Sequence, residues 1–482
     1  VPFAHELYPL DAARCNVVNA DSFISPDDIR SDFSLAMSAM YREEVPAYGT
    51  LMSLVAKVND ATLAADAYLK ARLEATDTLD RISEERHGAI RLGTPEELSM
   101  MRRVFSVMGM YPVGYYDLST AGVPVHSTAF RPVGEKSLKR NPFRVFTSLL
   151  RLDLIADEAL REEAATVLAS RKIFTDVAVA LVEKAERHGG LEAADASRFV
   201  QEVLETFRWH DKAIVSAEMY ERLHHAHRLI ADVVSFRGPH INHLTPRTLD
   251  IDQVQAQMPE EGIAPKAVVE GPPTRKCPIL LRQTSFKALE EAVSYIGTDG
   301  TWQEGSHTAR FGEIEQRGVA LTPKGRALYD ALLSDTRTRV RPAADGSNSA
   351  DYEAALADVF KAFPDDWDAI RKAGLGYFSY SLTEKCKVES LAKLSLEEAI
   401  EQGYIYFDPI VYEDFLPVSA AGIFQSNLGD DAAQEFVASP NQVMFEHDLG
   451  AAVLDEFAHY AGMEKASLDA CFAVTGNSAA AE

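Results

Sequence analysis

Apolar residues recur at helical spacing over 26–79, 153–186 and 192–234, and the pattern predicts three helical blocks there. Ser25 before Pro26 supplies an N-cap followed by proline at the first helical position. Two stretches between these blocks are alike: RHGAIRLGTPEEL (86–98) and NHLTPRTLDIDQV (242–254). Each carries a His, an Arg four residues on, and a helix N-cap seven residues after the His. These are His87, Arg91 and Thr94 in the first, and His243, Arg247 and Asp250 in the second. Thr94, Pro95 and Glu97 read as a capping box with proline at N1, and Gln253 stands in the matching place after Asp250. Each His is therefore expected on a short strand just before a helix.

Extended runs follow both helices. After the first come YPVGYYDL, VPVHSTAF and FRVFTSLL; after the second come PKAVVEG, PILLRQT and ARFGEIEQRGVAL, with SFKALEEAVSYI expected as a helical insertion. The shared order of strand, helix and three strands predicts an α+β fold. Two βαβββ modules form a mixed sheet around a concave floor, with helical insertions packed outside, because four strands alone have open edges and little core. The expected division is an extension over 1–21, disordered and outside the fold, an N-terminal helical segment over 22–85, and a first module over 86–152. A helical insertion over 153–239, a second module over 240–335 and a C-terminal segment over 336–482 that completes the pocket follow. That last segment opens on the loop-like RPAADGSNSA (341–350). It continues with a helix near 352–372, strands in GYFSYSL and GYIYFDPIVY, a helix near 450–461 and a disordered tail, GNSAAAE.

Strand side chains alternate in direction, so residues two apart share a face. His87, Ala89 and Arg91 would point one way; so would Ile241, His243 and Thr245, and Phe311, Glu313 and Glu315. If these faces meet over one floor, two imidazoles and a carboxylate converge. Two His and one carboxylate on one side of a metal is the facial triad of non-haem Fe(II) oxygenases, which leaves coordination positions open for substrate and O2. Spacing leaves Glu313 and Glu315 both open as the carboxylate, and makes His240 the replacement ligand in a different register. His224, His225 and His227 read as polar-face or packing residues of a helix. Arg247 reads as a substrate contact or a turn-stabilising residue. Arg282, Gln283 and Lys287 read as pocket lining or structural polar residues.

The formal net charge of −25 argues against nucleic acid and anionic membrane surfaces as partners. It also means that an anionic substrate needs a cation built into its pocket. The four cysteines are scattered with no CxxC pair, which excludes a disulfide framework and a thiolate zinc site and suits a reducing, cytoplasmic compartment. No apolar run reaches membrane-spanning length, and the first twenty residues lack the basic head and apolar stretch of a signal peptide.

The motifs INHLTPRTLDID, EGPPTRKCPILLRQTSFKALEE and RFGEIEQRGVALTPKGRALYDALL resemble the 2-oxoadipate dioxygenase/decarboxylase family. The resemblance extends to SPDDIRSDFSLAMSAMYREEVPAYGTLMSLV, ERHGAIRLG and FLPVSAAGIFQSNL, from about Phe23 to Asp455. That family's metal-binding core is similar to the vicinal oxygen chelate superfamily. The resemblance implies Fe(II) as cofactor, held by His87, His243 and Glu313. EIEQRG and INHLT are also similar to the ligand-bearing segments of 4-hydroxyphenylpyruvate dioxygenase, where the first Glu binds iron, and this implies Glu313 rather than Glu315. It further implies Arg91 as the substrate-carboxylate arginine and substrate contacts at Val418 and Ser419. The implied reaction takes a small 2-oxo dicarboxylate, 2-oxoadipate, with O2 to 2-hydroxyglutarate, in the D form, and CO2 in lysine breakdown. Two other function classes use the same residues: a redox-neutral, glyoxalase-like metal isomerase or hydrolase, which commonly needs a fourth protein ligand, and a non-catalytic metal-binding protein.

Overall fold

The computed structural model describes residues 22–75, 79–119, 122–286, 289–297, 300–308, 310–343, 346–386, 391–416 and 440–474. The expected extension, the expected disordered tail, Lys287, Val418 and Ser419 lie outside them. The first helical block is divided into α1 (Pro26–Glu44), α2 (Pro46–Ala65), α3 (Ala67–Ala75) and α4 (Leu79–Glu84). Ser25 caps α1 by accepting the Asp27 N–H at 3.1 Å. The break at Val45 follows from Pro46, which disfavours helical geometry in the residue before it.

β1 (Arg86–Leu92) leads into α5 (Pro95–Val107), then β2 (Tyr111–Asp117), β3 (Val125–Arg131), α6 (Glu135–Arg140) and β4 (Arg144–Leu150). Thr94 accepts the Glu97 N–H, as expected of the cap. The Glu97 carboxylate, however, reaches one residue further back, to the Gly93 N–H, and pairs with Arg171. β1 runs parallel to β4, and β4, β3 and β2 pair antiparallel in turn. After the helices α7 (Glu158–Ser170), α8 (Asp176–His188) and α9 (Ala193–Phe207) comes β5 (Lys212–Ser216), then α10 (Ala217–Ala226) and α11 (Arg228–Ser235). β5 corrects the expectation of unbroken helix over 192–234; Ala213 and Val215 alternate into the core there, at strand spacing.

β6 (Leu244–Pro246) pairs antiparallel with β1 and is followed by α12 (Ile251–Gln257), capped by Asp250. His243 thus lies immediately before its strand, with Thr245 opposite His87. β7 (Leu281–Ser285) pairs with β10 (Glu313–Arg317), residues 265–270 bridge to the far side of β7, and an Arg247–Glu315 bridge joins β10 to the end of β6. The five-strand order β2-β3-β4-β1-β6 therefore continues into β10-β7.

The expected helix in SFKALEEAVSYI is instead β8 (Glu291–Ile296). It forms a hairpin with β9 (Trp302–His307) and pairs with β5. Val293 and Tyr295 are buried while their neighbours are more exposed, a two-residue period that prevailed over the helix-forming Lys-Ala-Leu-Glu-Glu preceding it. β11 (Phe378–Leu382) and β12 (Ile405–Pro409) form a separate antiparallel pair against helix Glu456–Ala473. No helix among the described residues is long and apolar enough to cross a membrane.

The sheet separates two environments. Ile90, Leu92, Val145 and Leu149 face α1, α5, α8 and α9 in one core, while Ala89, Phe146 and Ala129 face the opposite side. Ile314 meets α2 and α12 in a third cluster. Burying each large aliphatic side chain contributes roughly 1.5–3 kcal/mol, so the helix-facing pattern dictates which face is left for chemistry. Gly88 lets β1 and β6 approach: a Cβ there would stand 2.5 Å from Ile241 Cδ1 and 2.9 Å from the His243 carbonyl oxygen.

Candidate metal centre

Alternation on β1 turns His87, Ala89 and Arg91 to the floor, and alternation on β10 turns Glu313 and Glu315 to it. The β1–β6 pairing delivers His243 beside them. His87, His243 and Glu313 each offer a ligand atom, and these atoms lie within 4.8 Å of one another, the one such cluster of three among the described residues. All three are fully buried. His87 and His243 sit edge to face at 5.2 Å between ring centroids. Phe415 covers His87 at 4.9 Å, and Phe311 lies against His243 at 4.8 Å.

Each ligand candidate is held from behind. Glu315 Oε2 is 3.0 Å from His87 Nδ1. Thr245 Oγ1 is 2.9 Å from His243 Nδ1. Gln283 donates its amide N–H to Glu313 Oε1. Four buried atoms here have no hydrogen-bond partner among the described residues: His87 Nδ1, which only stands close to Glu315, and His87 Nε2, His243 Nε2 and Glu313 Oε2. Buried polar atoms are nearly always satisfied, and two imidazole nitrogens with a carboxylate oxygen are the donor set that a divalent transition metal satisfies. The residues therefore fit a metal.

Electrostatics favours the ligand-competent imidazole. Burial lowers the pKa of His87 against the opposing pull of Glu315. Burial, His87 and Arg91 hold His243 well below the ordinary range. Both shifts favour the neutral ring, the form that binds metals. Burial, then Glu315 and Glu270, push Glu313 up. Burial alone would raise Glu315 too, but Arg317, His87 and Arg144 outweigh it and keep that carboxylate ionised.

Glu315 stands at the edge of a buried ion network. Arg317 grips it through two nitrogens at 2.8 and 2.9 Å. Glu85 accepts from Arg144 at 2.9 Å and from Arg247 at 2.8 Å, and Arg81 and Arg144 both reach Glu413. Arg247 is thus committed to this network. A His ligand commonly has such a carboxylate fixing its ring, and losing it typically costs about 10- to 100-fold in metal affinity or activity. Glu315→Gln is accordingly expected to weaken metal binding by about that factor, measured by competition against a chelator. Unchanged affinity would show that His87 needs no carboxylate behind it.

The remaining candidates fall elsewhere. Arg91 lies on the same face of β1, where its Nη1 donates to Asp232 Oδ2 at 2.6 Å. His240 is 3.2 Å from Asp232, against Trp209, and outside the metal cluster. His227 accepts the Leu229 N–H at the start of α11, and His225 is exposed. Arg282 pairs with Asp252. The sequence reading missed Thr245 and Gln283 as supports of the ligand candidates, and Asp232 and His307 as partners in the Arg91 region. Thr245 was already on the right face and Gln283 was read as pocket lining or a structural polar residue; nothing local to the sequence pointed to Asp232 or His307.

Residues 33–427 match the 2-oxoadipate dioxygenase/decarboxylase family. A protein of that description from Pseudomonas putida is 58% identical over 455 residues, covering 94% of this chain and 98% of its own. Another from Escherichia coli is 55% identical over 451 residues, covering 93% and 98%. The crystal structure of the hydroxyglutarate synthase from Pseudomonas putida in complex with 2-oxoadipate superposes with a TM-score of 0.88 at 56% identity, over 95% of this chain and all of that one. The fold, the convergent His-His-Glu cluster and these matches place the chain in the 2-oxoadipate dioxygenase/decarboxylase family.

Proposed function

We propose that this protein is an Fe(II)-dependent enzyme that converts 2-oxoadipate and O2 into 2-hydroxyglutarate, in the D form, and CO2, a step suited to lysine breakdown in the cytoplasm. His87, His243 and Glu313 hold the ion. Bound there, iron would supply the redox chemistry that activates O2 beside a 2-oxo acid. The reaction balances without another reductant. The bond between carbons 1 and 2 breaks and carbon 1 leaves as CO2. Carbon 2 becomes a carboxylate with one oxygen atom of O2, and carbon 3 takes the other as a hydroxyl.

The observation that carries this reading is a three-ligand cluster with an arginine on the same strand face. Glu315, the one candidate for a fourth ligand, is turned to His87 and Arg317 instead. This favours an open coordination sphere over the four-ligand, redox-neutral alternative.

The floor between metal and arginine is graded. Arg91 pairs with Ser148, and Ser148 with Ser127, whose hydroxyls are 2.7 Å apart. Ala89, Phe146 and Ala129 form the rung between this polar row and the metal ligands. A chain with an oxo acid at one end, methylenes in the middle and a carboxylate at the other matches that order. Arg91 binds the remote carboxylate, and Phe415 and Phe311 keep water from the ligand rings.

The test is anaerobic loading with Fe(II), followed by O2 and 2-oxoadipate. One O2 consumed, one CO2 and one 2-hydroxyglutarate formed per substrate is expected. No oxygen uptake with any 2-oxo dicarboxylate would leave the isomerase or hydrolase and the non-catalytic readings. Arg91→Ala is expected to raise KM for 2-oxoadipate by about 30-fold or more, the lower end of the loss when one partner of a buried charge pair is truncated. Unchanged kinetics would remove Arg91 from substrate binding.

A further inference from the structure

The two insertions that cover the floor bring together a second buried group of side chains. Asp232 comes from α11, Tyr220 from α10, His307 from the end of β9, and His240 from the segment before β6. Asp232 Oδ2 accepts from Arg91 Nη1 at 2.6 Å, and Oδ1 accepts from His307 Nε2 at 2.9 Å. His240 Nε2 lies 3.2 Å from the same Oδ1. On the far side of the His307 ring, Nδ1 is 2.8 Å from the Tyr220 hydroxyl. With Nε2 donating to Asp232, Nδ1 accepts the Tyr220 O–H, so the hydrogen bonds run in one direction from Tyr220 through His307 to the carboxylate. Trp209 stacks on His307 at an interplanar angle of 10°, and Phe236 lies 4.6 Å from it. Asp232, Arg91, His240 and His307 are all buried. None of them except Arg91 has a place in the function proposed above.

We infer that Asp232 is a positioning residue that fixes the Arg91 guanidinium at a set height above the metal triad, and so sets which length of 2-oxo dicarboxylate the pocket accepts. This rests on the reading of Arg91 as the anchor of the remote carboxylate. An arginine stem has many rotamers, and ordering it on ligand binding costs affinity. Here both carboxylate oxygens of Asp232 are engaged, one by Arg91 and one by a ring that is itself clamped by Tyr220 and Trp209. The guanidinium is thus ordered by the fold rather than by the substrate. The geometry also assigns a role to the insertions: α10, α11 and the β8–β9 hairpin carry the length gauge, while the two modules carry the metal cluster.

The test compares 2-oxoadipate with 2-oxohexanoate, which has the same chain length and no remote carboxylate. Asp232→Asn keeps the side chain's size and removes its charge. It is expected to raise KM for 2-oxoadipate about three- to tenfold, the equivalent of one rotamer-rich side chain left to be ordered on binding. It should move kcat and the iron content far less, and to shift 2-oxohexanoate little. Preference for 2-oxoadipate over 2-oxoglutarate and 2-oxopimelate should narrow in the same variant. His307→Gln, which leaves the Arg91–Asp232 pair in place, is expected to shift KM in the same direction by a smaller factor. It carries the test if Asp232→Asn does not fold. Unchanged KM for 2-oxoadipate, or an equal loss with both substrates, would overturn the inference and leave Asp232 a structural counter-ion. Arg91→Ala run in parallel separates the two possible failures. If it abolishes discrimination between the substrates and the Asp232 and His307 variants do not, the positioning role alone falls. If none of the variants does, the anchor reading of Arg91 falls with it.

Discussion

Replacing His243 with alanine is expected to leave a folded protein that retains no stoichiometric metal and turns over 2-oxoadipate at background rate. The imidazole is fully buried, its Nδ1 is engaged by Thr245, and its Nε2 has no hydrogen-bond partner among the described residues. The alanine variant leaves His87 and Glu313 as two donors, too few to hold a first-row divalent ion in a defined geometry. The loss should exceed the about 10- to 100-fold expected for an outer partner such as Glu315, because a bond to the metal itself is removed. Metal per chain by elemental analysis and O2 uptake are the two measurements, with circular dichroism confirming the fold. His240→Ala is the matched comparison: it removes a buried imidazole three positions away, packed on Trp209 and outside the cluster, and should retain the metal. Full metal occupancy in the His243 variant, or loss in the His240 variant alone, would overturn the proposed ligand set.

Arg131→Leu is expected to destabilise the protein by roughly 3–5 kcal/mol, the usual cost of leaving a buried charge without its partner. Arg131 and Asp414 are both fully buried and joined by two bonds of 2.6 and 2.9 Å, and the Tyr460 hydroxyl donates to the same carboxylate at 2.6 Å. Burial opposes ionisation of Asp414, and Arg131 reverses that balance, holding the carboxylate below its ordinary range. Without Arg131 the desolvated carboxylate remains and its main compensation is gone. The double variant Arg131→Leu, Asp414→Leu should recover much of the loss, because it removes both desolvated charges. Urea unfolding gives the comparison; a single-variant cost below about 1 kcal/mol, the range of exposed pairs, would show that the pair contributes little. The pair also bears on the metal cluster. Asp414 precedes Phe415, whose ring lies on His87, so a loosened Asp414 should lower turnover as well as stability.

Several features of the site were legible in residue spacing. The two-residue period in RHGAIRL put His87 and Arg91 on one face, and the internal likeness of 86–98 and 242–254 brought His243 into the same frame. The order of strand, helix and further strands was legible in the same way, because a half-buried strand and an amphipathic helix each leave a period in the chain. Where local preference and tertiary pairing conflicted, reading from the sequence failed. Residues 287–291 are good helix formers, yet the pairing of 291–296 with β5 and β9 made that part a strand.

What the sequence determined by itself was therefore which side chains can share a face, since alternation is a property of the backbone and needs no partner. Alternation could not separate Glu313 from Glu315, because residues two apart on a strand point the same way; the resemblance of EIEQRG to a ligand-bearing segment is what implied Glu313. The packing is consistent with that choice: Glu315 lies against His87 Nδ1 and Arg317, whereas Glu313 lies beside His243 with Gln283 behind it. The pairing of Arg91 with Asp232, 141 positions away, was decided by tertiary structure alone. Contacts between distant segments depend on how the sheets join and which helices cover them, and no local period in the chain encodes that.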